Sequence, residues 1–204
     1  MIAIIEYGVG NLYSLNSSFS KIGEEVIVTK DIRELRKADK LLLPGVGAFG
    51  DAAEKLRRTG LADEIIAQTK AGKPLLGICL GMQLLFERGF EYGEHKGLGL
   101  IPGSVRPITD VIPEGYKMPH MGWNKLDIKK ESKLLKNIKK DDYVYFVHSY
   151  FATECEEHTI ATAEYGADLT AVVEKGNVFG CQFHPEKSGD VGLEILKAFS
   201  EMKV

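Results

Sequence analysis

The stretch Gly77-Ile78-Cys79-Leu80-Gly81 constrains this chain more than any other. It follows an apolar run, Pro74-Leu75-Leu76, and opens onto Met82-Gln83-Leu84-Leu85-Phe86-Glu87, where a helix is expected. A nucleophile with a glycine two residues to either side, between a strand and a helix, is the pattern of a nucleophile elbow. Such a turn is sharp, so the flanking positions must lack bulk and tolerate unusual dihedrals. It lifts a thiol clear of the sheet, ahead of a helix whose first N–H groups favour thiolate over thiol. It also leaves the N–H of Leu80 free to face an oxyanion. Taken alone, Cys79 reads equally as a small core residue at the end of a buried strand. The rest of the chain has to decide.

Around that turn, strands and helices alternate. Ile2 to Glu6 reads as a strand, followed by a helix with Leu12, Leu15, Phe19 and Ile22 on one face, Asn11 as N-cap and Gly23 as terminator. Gly8-Val9-Gly10 resembles the start of a dinucleotide loop, but Tyr13 stands where the third glycine belongs. A strand at 25–29, a short helix at 32–36, a buried strand at 41–43 and helices at 52–57 and 61–70 follow, broken by Gly72-Lys73-Pro74. This order predicts an α/β fold, a mostly parallel sheet with helices on both faces. Ligands of such sheets bind beyond the carboxyl ends of the strands, where Pro44-Gly45-Val46-Gly47-Ala48-Phe49-Gly50 would lie. Three glycines in that loop suit close approach of backbone to ligand.

After Gly89 short strand-like segments dominate, at 104–108, 124–128, 143–147, 159–165, 169–174 and 178–183, with a tight turn at Lys175-Gly176-Asn177. They are expected to extend the same sheet, making residues 1–204 one domain with a β-rich C-terminal half. An amphipathic helix carrying Val191, Ile195, Leu196 and Phe199 closes the chain.

Composition narrows the partners. A formal net charge of −3 gives no electrostatic reason to expect nucleic acid or an anionic membrane. No apolar stretch approaches membrane-spanning length, and the first strand begins at once with no basic leader. Three cysteines do not read as a disulfide framework, so a reducing cytoplasm is the expected compartment. Cys155-Glu156-Glu157-His158 has metal-like residue types without a second pair, and reads as a solvated loop; His95 and His120 show no ligand spacing. No metal and no cofactor is expected.

Phe183-His184-Pro185-Glu186 supplies what a cysteine nucleophile needs. An imidazole holds the thiol as thiolate and later protonates a leaving amine, and an acceptor on its other nitrogen orients it. Pro185 pushes His184 into an extended conformation, in which residues i and i+2 point the same way. Glu186 is then expected to reach one side of the imidazole while Cys79 reaches the other. Cys181, three residues from His184, should face the opposite side of the sheet.

With both halves in hand, GICLGMQ at 77–83 and HPE at 184–186 resemble the class I (triad) glutamine amidotransferases. PGVGAFG at 44–50, PHMGWN at 119–124 and YFVHSY at 145–150 narrow the likeness to the glutaminase subunits of imidazole glycerol phosphate synthase. That resemblance implies a three-layer α/β amidotransferase fold. It implies that Cys79, His184 and Glu186 form a triad hydrolysing glutamine to glutamate and ammonia through a thioester. Gly45, Val46, Gly47 and Leu80 would then frame the oxyanion, and Gln83, Ser149 and Tyr150 would hold glutamine. The implied partner is a (β/α)₈-barrel cyclase, bound one to one, which receives ammonia and makes imidazole glycerol phosphate in L-histidine biosynthesis. Asn11, His120, Met121, Gly122, Trp123, Tyr145 and Lys187 fall where the family meets that partner. Three other readings stay open at this point: the glutaminase of another amidotransferase, a stand-alone γ-glutamyl thiol hydrolase, and a non-catalytic binding module.

Overall fold

Three short central strands, at residues 2–5, 40–43 and 75–78, are buried along their whole length, and the chain builds its layers around them. The computed structural model describes residues 1–203. In its first half, β1 (Ile2–Ile5), α1 (Leu12–Lys21), β2 (Val26–Thr29), α2 (Ile32–Lys37), β3 (Lys40–Leu43), α3 (Phe49–Arg58), α4 (Leu61–Lys70) and β4 (Leu75–Ile78) follow the expected order. Next come a single helical turn, α5 (Leu80–Gln83), and β5 (Phe86–Gly89), β6 (His95–Lys96) and β7 (Ile101–Pro107). The remaining elements are β8 (His120–Lys125), β9 (Asp127–Ile128), β10 (Tyr143–His148), β11 (Tyr150–Thr153), β12 (Thr159–Glu164), β13 (Asp168–Lys175), β14 (Val178–Cys181) and α6 (Gly189–Ser200).

The main sheet has the order β2-β1-β3-β4-β14-β13-β12-β9. The strands from β2 to β14 pair in parallel, and the three beyond pair antiparallel. Successive residues of each central strand point to opposite faces. Ala3, Ile5, Leu41 and Leu43 pack with Leu35, Leu56 and Ile65 of α2, α3 and α4. Ile2, Ile4, Leu42 and Leu76 pack with Leu15 and Phe19 of α1 and with Ile195, Leu196 and Phe199 of α6. Three layers result, as expected. The chain leaves β1 toward β2 on one side and returns to β3 on the other. That places a topological switch point between the carboxyl ends of β1 and β3, the position where such sheets receive ligands.

Several expectations need correction. The segments after Gly89 do not all extend the main sheet. The strand expected at 104–108 is β7, in a separate four-stranded sheet of order β11-β7-β5-β6. The strand expected at 124–128 is two pieces, β8 in a two-stranded ribbon with β10, and β9 in the main sheet. The helix expected over 82–87 is only one turn long. Leu98, Leu100 and Ile101 donate backbone N–H groups to Leu84 and Leu85, and Gly97 to Glu87, so these carbonyls are recruited into the second sheet instead. An apolar run of that length carries no periodicity to separate the two outcomes. Asn11 does hold the position before α1, but its side chain makes no capping bond. Cys155 is buried, with its sulfur beside Thr159 and Thr170, and not in a solvated loop.

The β8–β10 ribbon is tied to the rest by two buried histidines. His120 lies opposite His148 in the ribbon, stacked on Phe146 and Tyr165. The Nδ1 of His148 lies 2.9 Å from the carbonyl of Tyr150, which can only accept, so that nitrogen carries the proton. The Nε2 of His148 must then accept from Nδ1–H of His120 at 2.9 Å, and the Nε2 of His120 accepts from the Asn124 amide at 3.2 Å. The chain of donors has one direction, and both rings are neutral in it. Burial lowers His120 to about 4. Burial, with the neighbouring His120 and His184 charges adding to it against the Tyr150 bond, lowers His148 to about 3.

A depressed histidine pKa lets the unfolded chain take up protons that the folded chain refuses. Its contribution to stability is therefore full above pH 6.5 and is lost as pH falls from there toward the folded values. Urea unfolding should show stability dropping between about pH 7 and pH 5 by on the order of 2 kcal/mol for each of the two rings. A His120→Phe variant, which keeps the aromatic stack, should have lower stability at pH 7 and a shallower pH dependence; equal slopes would show that His120 does not titrate in this way.

Candidate active site

The elbow forms through packing. Cys79 has φ 54° and ψ −114°, a backbone conformation that a side-chain-bearing residue rarely adopts. The flanking glycines answer to space and not to dihedral freedom, since neither has a positive φ. A Cβ on Gly77 would lie 2.7 Å from the carbonyl oxygen of Gly81, and one on Gly81 only 1.8 Å from that of Leu43. The ends of β3 and β4 thus meet backbone to backbone. The N–H of Cys79 is tied at 2.8 Å to the carbonyl of Cys181, in the neighbouring strand β14.

The loop after β3 presses on the same turn. A Cβ on Gly45 would stand 2.8 Å from the nitrogen of Gly81 and 2.9 Å from the Tyr7 hydroxyl. Tyr7, at the end of β1, donates to the carbonyl of Pro44 at 2.7 Å. Burial and the nearby Cys79 charge both push its phenol well above the ordinary range. Leu80, first residue of a helical turn, has an N–H without an intrahelical acceptor. Val46 and Gly47 line the same cleft as Cys79 and Leu80.

At the end of β14 the HPE stretch is brought to the thiol. The Nδ1 of His184 lies 2.8 Å from Oε1 of Glu186, with both side chains almost wholly buried. The route differs from the one expected. His184 is extended, at φ −99° and ψ 98°, but Pro185–Lys187 form a 3₁₀ turn, and that turn carries Glu186 back to the ring. Ser188, which the sequence reading passed over, locks the turn: its hydroxyl donates to the His184 carbonyl at 2.7 Å and accepts the N–H of Tyr145 at 2.9 Å. Burial opposes a charge on His184. The hydrogen bonds with Cys79 and Glu186, reinforced by their charges, outweigh it and raise the imidazole to about 10. Cys181, fully buried, packs in the same apolar cluster as Cys79, and burial raises its thiol.

These groups open into a cleft of about 380 Å³, near the lower end for small-molecule sites, walled by Val147, Ser149 and Tyr150. Gln83 lines it too, but its amide nitrogen is engaged inside the protein, donating to the Tyr150 carbonyl and to Oε1 of Gln182, each at 3.0 Å. Only its oxygen remains for a ligand. Glu91, which no sequence pattern marked, also lines the cleft, with Oε2 accepting the N–H of Phe49 at 2.7 Å. It lies in a loop after β5, a strand that the apolar run did not announce.

The residues expected to meet a partner divide in two. Met121 is 63% exposed and Trp123 55% exposed, and Tyr145 lies beside Trp123 with the Lys187 ammonium 5.9 Å from its ring. Asn11 and Gly122 are half-buried. His120 is a correction: its place on β8 turns it inward, at 3% exposure, so it adds almost nothing to the exposed face. Among the described residues no group of three His, Cys, Asp or Glu side chains is arranged to hold a metal, and no helix is long and apolar enough to cross a membrane.

Comparison with known proteins agrees with this geometry. A sequence model of the class-I glutamine amidotransferases matches residues 3–201. The chain is 52% identical over 203 residues to "Imidazole glycerol phosphate synthase subunit HisH" of Caldanaerobacter subterraneus, covering 99% of this chain and 98% of that one. It is 49% identical to the protein of the same name from Oceanobacillus iheyensis, covering 99% of each. Among solved structures, a glutamine amidotransferase superposes with a TM-score of 0.76 at 20% identity, over 98% of this chain and all of that one. PurLQS from Thermotoga maritima gives 0.73 at 19% identity, over 98% and 96%, a likeness of fold alone. With an elbow cysteine, a carboxylate-oriented histidine and full-length kinship in agreement, the chain belongs to the class-I glutamine amidotransferases, among the HisH subunits of imidazole glycerol phosphate synthase.

Proposed function

We propose that this chain is a glutaminase subunit that hydrolyses glutamine through Cys79, His184 and Glu186 and passes the ammonia to a (β/α)₈-barrel cyclase, bound one to one. The observation that carries the reading is the 2.8 Å pairing of His184 with Glu186 at a cleft that also holds the elbow cysteine. The Cys79 sulfur attacks the side-chain amide carbon, forming C–S while the carbonyl π pair moves onto oxygen. The N–H groups of Leu80 and of the 45–47 loop receive that charge. His184 gives its proton to the amide nitrogen, C–N breaks, and ammonia leaves with a glutamyl thioester behind. Water then adds, its proton going to His184, and C–S breaks to give glutamate. Glu186 keeps the imidazole oriented throughout.

The Gln83 oxygen and the backbone of Ser149 and Tyr150 hold the substrate. We assign the substrate's α-ammonium to Glu91, the one carboxylate that lines the cleft beside the triad. The exposed apolar residues Met121 and Trp123, with Tyr145, Lys187, Asn11 and Gly122 nearby, form the face offered to the cyclase. Obligate partners cover such residues, because large apolar side chains are more often buried than left exposed. Imidazole glycerol phosphate would be the partner's product, in the histidine pathway.

Glutamate release from glutamine is the direct test. The purified chain alone should be nearly silent, and a barrel cyclase with its nucleotide should stimulate it strongly. Cys79→Ala should abolish both. Full activity alone, indifferent to the partner, would mark a free-standing hydrolase. In the stimulated complex Val46→Pro, which removes one oxyanion donor, should cost about a hundredfold in kcat. Glu91→Gln should raise KM for glutamine about tenfold or more with kcat little changed, since a charged hydrogen bond common to ground and transition states is lost.

A further inference from the structure

The sequence assigned the task of favouring thiolate to a helix following Cys79, but α5 is a single turn of four residues, too short for an appreciable macrodipole. Another group stands in its place. Gln182 is wholly buried, and its Nε2 lies 3.7 Å from the Cys79 sulfur. We propose that Gln182 is a positioning donor to the nucleophile, holding the sulfur as thiolate by a buried N–H···S⁻ hydrogen bond.

The orientation of its amide follows from its neighbours. The Tyr150 carbonyl can only accept, so the group of Gln83 facing it at 3.0 Å is the NH₂. The second hydrogen of that NH₂ points to Gln182 at 3.0 Å, which must therefore present its oxygen there. The remaining end of Gln182, its NH₂, faces the sulfur. Reversing the amide would set two nitrogens together and turn an oxygen toward a thiolate. The backbone is fixed as well, with the N–H of Gln182 bonded to the Ala171 carbonyl at 2.8 Å.

A thiolate is a strong acceptor and a thiol a weak one, so a fixed donor favours the charged form. In the reaction the same donor serves when C–S breaks and the negative charge returns to sulfur. Gln182 and His184 are residues i and i+2 just beyond β14, and His184 lines the cleft that Cys79 also lines. The carboxylate Glu186, carried round by the 3₁₀ turn, reaches the sulfur only through the ring.

The inference rests on Cys79 being the nucleophile of the proposed reaction, but its test needs no turnover. Alkylation of Cys79 by iodoacetamide, followed against pH by site-resolved mass spectrometry on the full chain, reads the thiolate directly. In Gln182→Met, close in volume and without a donor, the rate near neutral pH should fall about tenfold or more, and the midpoint of the profile should rise by about one unit or more. Gln182→Glu keeps the acceptor for Gln83 and serves where the first variant is unstable; its midpoint should rise at least as far. The thiolate donor would be overturned if a folded variant gave a profile superimposable on the parent's, even with glutaminase activity reduced. A parent that stays inactive even with the cyclase and its nucleotide, with a shifted profile in the variants, would sustain the donor while sinking the proposed reaction.

Discussion

A cysteine held at φ 54° and ψ −114° stores strain of order 1–3 kcal/mol, and the active site depends on the contacts that keep it there. The restraint is largely backbone on backbone. Leu43 closes over Gly81, Gly45 sits on the nitrogen of that same glycine, and β14 takes the Cys79 N–H. The first two of these approaches leave no room for a Cβ. Because the strands involved are neighbours in the sheet, with β3 and β14 flanking β4, the strain is borne by the most buried part of the molecule. The loops that would bind an oxyanion and orient a base come from those same two flanking strands. One packing arrangement therefore sets the nucleophile, the oxyanion loop and the base together.

How far this was legible in the sequence follows from the kind of signal each part carries. The βα alternation, the elbow and HPE are local patterns with a fixed spacing, and the elements that carry them form where expected. The pairing of His184 with Glu186 was legible as a partnership and misread as a path, because an extended i, i+2 arrangement and a 3₁₀ turn can both bring the carboxylate to the ring. Partition of the later strands among three sheets was hidden, since alternation reveals a strand but not its neighbour. Leu84 to Glu87 was read as helix because an apolar run is ambiguous until tertiary hydrogen bonds choose, here those from residues 97–101. Glu91, Gln182 and Ser188 gave no signal. Each acts through contacts made across the fold, among them those to Phe49, Cys79 and Tyr145 respectively. His120 was placed at the partner face by the family resemblance, and its position on β8 turns it inward.

The buried polar groups of the site converge on one atom. A backbone carbonyl oxygen has two lone pairs, and that of Tyr150 spends both on side chains, His148 Nδ1–H at 2.9 Å and Gln83 Nε2–H at 3.0 Å. Because a carbonyl only accepts, it sets the direction of everything behind each donor. Through Gln83 it orients Gln182 toward the sulfur. Through His148 it fixes the tautomer of His120 and the orientation of Asn124, on the strand that also bears Trp123. The chain reaching the nucleophile and the chain reaching the exposed ribbon thus end on the same oxygen, in a wall of the cleft. Protonating either histidine would put two donors face to face in a buried site, where an unpaired polar group is costly. Burial, by keeping both rings neutral, is what lets a single carbonyl impose one direction on hydrogen bonds running both ways from the cleft.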